Sequence, residues 1–234
     1  MIPDAISADS SVPTDRVPEQ GKPHENAPLR RQPVQERSTR RVARILDTCA
    51  ELVSEVGYDA LTTTVLARRA GVAIGSLYQF FPDKRAVVQA LTQRFLDDFL
   101  LRLQTNVNFD QFENWWEAVD AVMDQYIEMH RTVPGFGVLH FGDVVDQYLL
   151  NPGEDNNTVV AEQLAQLLVA RFQLNDDEGL RLALLVAVEA SDAVLTLAFK
   201  RSPTGDPKLI AAAKDLIRGY LAGNLTSAVD QPAS

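Results

Sequence analysis

The chain has very few of the residues from which sulfur and metal sites are built. Its 234 residues include one cysteine, three histidines, three methionines and two tryptophans. A single cysteine, Cys49, excludes an internal disulfide and a zinc site built on cysteines. His130 and His140 stand ten residues apart with no close second ligand, so no metal is expected. Long apolar runs are missing too. The richest stretch, residues 180–199, is broken by Arg181, Glu189, Ser191 and Asp192, short of the roughly 18 uninterrupted residues of a membrane span. The opening MIPDAISADS lacks the basic start and apolar stretch of a secretory signal. These absences favour the cytoplasm and no membrane partner. No clustered nucleophile and base and no phosphate loop stand in the sequence, so neither an enzyme nor a cofactor is expected. The acidic residues Asp97, Asp98, Asp110, Glu113 and Glu117 read as solvated helix faces.

Positive charge is scarce overall but unevenly spread. Lys and Arg number 22 against 32 Asp and Glu, a net charge of −10. A nucleic-acid binder usually carries a basic footprint. The distribution supplies one: residues 30–94 hold 11 basic and 6 acidic side chains, a balance of +5, whereas residues 1–29 balance at −3 and residues 95–234 at −12. A basic block joined to an acidic body suggests two jobs in one chain.

Residues 1–33 contain six prolines, no aromatic residue and almost no apolar periodicity. Such a segment cannot bury enough surface to offset its ordering entropy and reads as a disordered arm. Beyond it the pattern is helical throughout, with no strand-like alternation. Val42, Ile45, Leu46, Cys49, Leu52, Val53 and Val56 recur at threes and fours, with Ser38 placed to cap this helix and Gly57 to end it. Further helices are expected over 62–70, 75–80, 83–105, 112–131, a short irregular 134–141, 143–150, 158–172, 176–200 (capped by Asn175) and 207–228. The fold class is all-α. The expected division is an arm at 1–33, a three-helix unit at 34–82, a helical body at 83–229 and a tail at 230–234.

Two of the short helices meet across Gly71, which accepts the positive φ of a sharp turn. Leu66, Ala67, Ala70, Val72 and Leu77 can interlock beneath it. That is the arrangement of a helix-turn-helix unit, whose second helix enters the DNA major groove. The residues Gly57-Tyr58, Leu61-Thr62-Thr63, Leu66-Ala67, Ala70-Gly71-Val72, Gly75, Leu77-Tyr78, Phe81 and Lys84 make the stretch from about Arg37 to Leu91 resemble the TetR family of transcriptional regulators. The resemblance implies a homodimer, each subunit having an N-terminal helix-turn-helix domain and a larger helical domain for ligand binding and dimerisation.

The resemblance also implies site residues. Thr62 or Thr63 stands at a helix start, where hydroxyl and free backbone N–H groups can hold a phosphate. Lys84 matches the family's phosphate-contacting lysine and Tyr78 its backbone-contacting tyrosine. Thr64, Ile74, Gly75, Ser76 and Gln79 occupy positions that reach bases or adjacent backbone. Gln79 can pair with an adenine edge, and Ile74 can touch only apolar groups such as a thymine methyl. Arg40, Arg41 and Arg44 add phosphate attraction. Arg68 and Arg69 read mainly as solvated surface. Two positions depart from the family pattern. Ala73 stands where Ser or Thr often caps the recognition helix, weakening that start by about 1 kcal/mol. Phe80 stands where a polar residue is common and is expected to pack.

In the body, Trp116, Met123, Tyr126, Phe136, His140 and Tyr148 form the candidate lining of a pocket for a small apolar or aromatic ligand. The same aromatic residues could equally fill a core. Cys49, on an apolar stripe, reads as a small hydrophobe. Ala183, Ala187, Ala190, Ser191, Ala211, Ala212 and Ala222 suit close packing of the last two helices against a second copy. The function implied is a homodimeric repressor on a pseudo-palindromic operator, released by a small molecule. The alternative is a ligand-independent or activating regulator whose body dimerises or recruits a partner.

Overall fold

A computed structural model describes residues 32–139 and 156–225, with side chains from residue 36. The described residues form nine α-helices and no strand. Of the arm expected over 1–33, residues 1–31 lie outside them, as do the helix over 143–150 and the end of the last helix beyond 225, whereas residues 32 and 33 are already helical.

Helix α1 (Gln32–Ala60) is interrupted at Gly57, with φ 77° and ψ 171°. It starts earlier than the sequence suggests, so Ser38 lies inside it rather than at its cap. Glu36 pairs with Arg40 one turn on at 3.2 Å, which supports this first stretch. Helix α2 (Thr63–Arg69) is capped by Thr62, whose hydroxyl accepts the Val65 N–H at 3.2 Å. Gly71 then turns the chain at φ 65°. Helix α3 (Ile74–Tyr78) has no side-chain cap at Ala73. Helix α4 (Lys84–Asn106) is capped by Asp83, which accepts the Ala86 N–H at 2.8 Å.

The body follows. A 3-10 turn at Phe109–Gln111 precedes α5 (Trp115–Thr132), which starts after its Asn114 cap rather than at Phe112. The four-residue α6 (Phe136–Leu139) comes next, then α7 (Asn156–Phe172). Helix α8 (Glu178–Arg201) is capped by Asp177, not Asn175: the Asp177 carboxylate accepts the Leu180 N–H at 2.8 Å. Helix α9 (Pro207–Ala222) has Asp206 as cap and Pro207 in its first turn, and closes at Gly223.

One hydrophobic core runs through both parts. Ile45, Cys49, Val53, Leu61, Leu66 and Leu77 close the three-helix unit; Val87, Leu91, Phe95 and Phe99 carry the core along α4 into the body. Both α4 and α6 pack on α1. At the turn before α6, Gly135 (φ 76°) lies so close to α1 that a Cβ there would stand 2.7 Å from the Ala50 carbonyl oxygen. Helices α8 and α9 pack along one another, and α7 packs on α8.

Candidate nucleic-acid interface and body cavity

The helix-turn-helix is held from below by apolar contacts and leaves an open outer face. Leu77 is fully buried, so the rest of α3 turns outward: Ile74 is 41% exposed and Tyr78 50%. Gly75 and Gln79 are exposed and Ser76 is half-buried. At the start of α2, Thr62 and Thr64 are exposed and Thr63 is half-buried. The Thr63 and Tyr78 hydroxyls are hydrogen-bonded at 3.1 Å, joining the start of α2 to the end of α3. Lys84 opens α4. Its ammonium donates to the Tyr58 carbonyl at 3.2 Å and stands 4.1 Å above the Tyr58 ring. A hydrogen bond and a cation–π contact therefore hold it over the end of α1, just past the kink at Gly57. Phe80 is partly buried against the core.

The arginines divide. Arg69 forms a two-pronged pair with Glu55, both distances 2.5 Å, with Glu51 at 3.9 Å. The hydrogen bonds hold the Arg69 guanidinium above its ordinary range and the Glu55 carboxyl below its own. Arg69 thus ties α2 to α1. Arg41, Arg44 and Arg68 are exposed. Cys49 is fully buried, and burial pushes its thiol up to about 12.

In the body, α4, α5, α7, α8 and α9 enclose an apolar cavity of about 50 Å³. Met123 and Tyr126 line it, with Phe99, Val122, Val160, Leu164, Leu195 and Ile217. Asn157, Ser191 and Asp192 stand on its wall as well. The Tyr126 hydroxyl donates to the Asp192 carboxylate. The Ser191 hydroxyl donates to the Ala187 carbonyl at 2.7 Å. Asn157 is 9% exposed, and its side-chain oxygen has no hydrogen-bond partner among the described residues.

Residues 45–91 match the family model for bacterial regulatory proteins of the tetR family, and residues 113–225 that for the tetracyclin repressor-like C-terminal domain. A TetR-family transcriptional regulator from Streptomyces coelicolor, of known structure, is 41% identical with a TM-score of 0.66; the match covers 79% of this chain and 99% of that one. The chain belongs to the TetR family. It is a helix-turn-helix DNA-binding transcriptional regulator, and its relatives are regulators rather than enzymes. The HTH-type transcriptional repressor KstR of Rhodococcus jostii is 45% identical over 53 residues, 22% of this chain and 25% of that protein. FadR from Bacillus subtilis, solved with stearoyl-CoA, shares the fold at 16% identity and a TM-score of 0.60, over 77% of this chain and 98% of that one. The chain spans between 25% and 47% of the length of the first curated relatives it matches.

The structure sorts the pocket candidates of this TetR-family protein. Met123 and Tyr126 line the cavity; Trp116 and Phe136 do not. Trp116 is half-buried beside Trp115, with Arg218 over its ring at 5.6 Å. Phe136 is fully buried, edge-on to Phe95, Tyr126 and His130, and fills core. His140 and Tyr148 lie outside the described residues. His130 stacks flat on Phe199 at 4.4 Å, a packing role. Asn157, Ser191 and Asp192 are lining that the aromatic pattern does not reveal. Ser191 and Asp192 carry a signal of another kind, since they interrupt the apolar run of α8. Asn157 carries none, because its place depends on how α7 rests against its neighbours.

The small residues also divide. Ala183 and Ala187 are buried within the subunit, Ala187 at the cavity wall, so they do not form an outer face. Ala211, Ala212 and Ala222 are exposed. On the last two helices the large apolar residues that face outward are Leu182 (63% exposed), Val186 and Leu197 on α8 and Leu216 (53%) on α9. Helix α8 is the one described helix long and apolar enough to cross a membrane by length and composition, and 33% of its most apolar window is buried.

Proposed function

We propose that this TetR-family protein is a homodimeric repressor that binds a pseudo-palindromic operator in the cytoplasm and is released by a small molecule held in its body. The observation that carries the reading is the outward face of α3, presented beside the α2 N-terminus and Lys84 on a basic unit. Thr64, Ile74, Gly75, Ser76 and Gln79 would meet base edges and adjacent backbone in the major groove. Thr62, Thr63, Tyr78 and Lys84 would meet phosphates on either side. Thr63 and Tyr78 share a hydrogen bond, so a phosphate contact to either hydroxyl also places the other. Lys84 would exchange its Tyr58 partner for a phosphate oxygen.

The exposed Leu182, Val186 and Leu197 on α8 and Leu216 on α9 support the dimer. Spacings of four and eleven put the three α8 residues on one side of the helix, and a second copy would remove that apolar surface from water. The cavity supports a ligand: it is apolar, lies between helices and carries a few polar groups. A ligand there shifts the operator-binding geometry only by its differential affinity for the two dimer arrangements.

Lys84→Ala tests the DNA face. Its affinity should fall across all operator sequences, and the slope of log affinity against log salt should become shallower by about 1. Unchanged binding and slope in a fluorescence-anisotropy salt titration would remove Lys84 from the contact set.

A further inference from the structure

The cavity wall carries hydrogen-bond acceptors with few donors to meet them. The Tyr126 proton is engaged by Asp192 and the Ser191 proton by Ala187. The Asn157 side-chain oxygen is buried with no partner among the described residues. Among the described residues, no Lys, Arg or His lines the cavity. A buried acceptor without a donor is costly, and a carboxylate on an apolar wall favours a cation. A carboxylate ligand would bring no donor and would face Asp192 as a like charge. A primary ammonium brings three donors and the opposite charge.

The size of the space adds to this. The cavity itself, about 50 Å³, has room for a head group. A second, larger groove of about 310 Å³ adjoins it, and Val122, Val160 and Leu164 line both. The groove is apolar at Leu103 and Leu167, and its volume is in the range of small-molecule sites, about 300–1,000 Å³. Along α7 the residues lining the cavity or the groove run from Asn157 to Leu167, about 15 Å at roughly 1.5 Å per residue. The polar group therefore stands at one end of this strip, and the groove extends from Val160 to the other end.

We propose that the small molecule sensed by this protein is an elongated apolar primary amine. Its ammonium donates to Asp192, Asn157 and Ser191, and its hydrocarbon chain passes between Val122 and Leu164 into the groove. This rests on the ligand-release reading above and specifies its chemistry.

The test is calorimetric titration of the full-length protein with dodecylamine, dodecanol and dodecanoate, each below its micelle concentration. These differ only in the head group. Dodecylamine should bind at least about tenfold tighter than dodecanol, since a charge-assisted hydrogen bond is about twice as strong as a neutral one. Dodecanoate should bind weakest. Asp192→Asn should erase most of the preference for the amine over the alcohol. Because that change also alters the Tyr126 bond, Asn157→Leu supplies a second variant, expected to weaken the amine several-fold while the melting transition confirms folding. Dodecanoate or dodecanol binding as tightly as the amine, no binding by any of the three, or an unchanged preference in a folded Asp192→Asn would overturn the inference. Operator release is measured separately. An amine that binds selectively but leaves operator binding unchanged supports this site and counts against ligand release. A different compound that releases the operator, with no selective binding of the amine, supports release and overturns the amine.

Discussion

Gly135→Ala tests how the body is seated on the DNA-binding unit. The residue has φ 76°, and a Cβ there would meet the Ala50 carbonyl oxygen at 2.7 Å, its Cα at 3.2 Å and its carbonyl carbon at 3.3 Å. Two costs follow. A left-handed conformation costs an L-residue roughly 1–2 kcal/mol. The contact atoms are α1 backbone, so no side chain can swing aside, and overpacking of this kind costs about 1–3 kcal/mol. The total is about 2–5 kcal/mol. For a chain of this size a loss of about 1 kcal/mol moves Tm by about 2–4 °C, so a fall of roughly 4–20 °C is expected. Gly71→Ala is the control. Gly71 has φ 65° with nothing within 4 Å of a Cβ, so only the conformational cost of about 1–2 kcal/mol applies. Both variants would be unfolded thermally and in urea, followed by circular dichroism. Equal losses for the two would refute the steric argument at α1. A Gly135→Ala loss confined to operator affinity, with Tm unchanged, would show that the contact is looser than the geometry implies.

Three further outcomes are expected. Gln79→Ala should change base preference in a randomised-site selection without changing the salt slope, and an unaltered preference removes Gln79 from the reading set. Leu182→Glu combined with Leu216→Glu should leave the subunit folded but monomeric in sedimentation, because both side chains are exposed; a dimer that persists places the interface elsewhere. Burial raises the Cys49 thiol from its ordinary value near 9 to about 12. The folded state thus keeps its proton where the unfolded state releases it. The stability this provides is full below about pH 9 and lost progressively between about pH 9 and 12. Cys49→Val should therefore lose less stability than wild type over that window in urea titrations, and parallel pH curves would contradict it.

The helical class and the helix-turn-helix were legible in the sequence because both are written in local spacing. Apolar residues at threes and fours, Gly71 at the turn and Thr62 at a helix start each act within a few residues of themselves. Leu77 had to be inward for the spacing to close, and that sent Ile74, Tyr78 and Gln79 outward. Ala73 lacks a cap in the structure as its side chain requires. Caps and starts were less secure. Ser38 is inside α1, and Asp177 rather than Asn175 caps α8, because several nearby polar residues can serve and backbone geometry chooses among them.

The sequence alone could not tell cavity from core. Aromatic content marked Trp116 and Phe136, but depth and facing are set by packing, and Phe136 is taken up by its ring neighbours. Only the tertiary arrangement brought Asn157 to the same cavity wall as the polar break at Ser191 and Asp192. Only it showed that Ala183 and Ala187 face inward while Leu182 and Leu197 face out. The charge asymmetry was a property of the sequence: a basic block on an acidic body. What folding decided was which charges are already engaged. Arg69 is held by Glu55, Arg40 by Glu36, and Lys84 is held against Tyr58. Sequence position specifies how much charge a segment carries, whereas the fold specifies where that charge can reach.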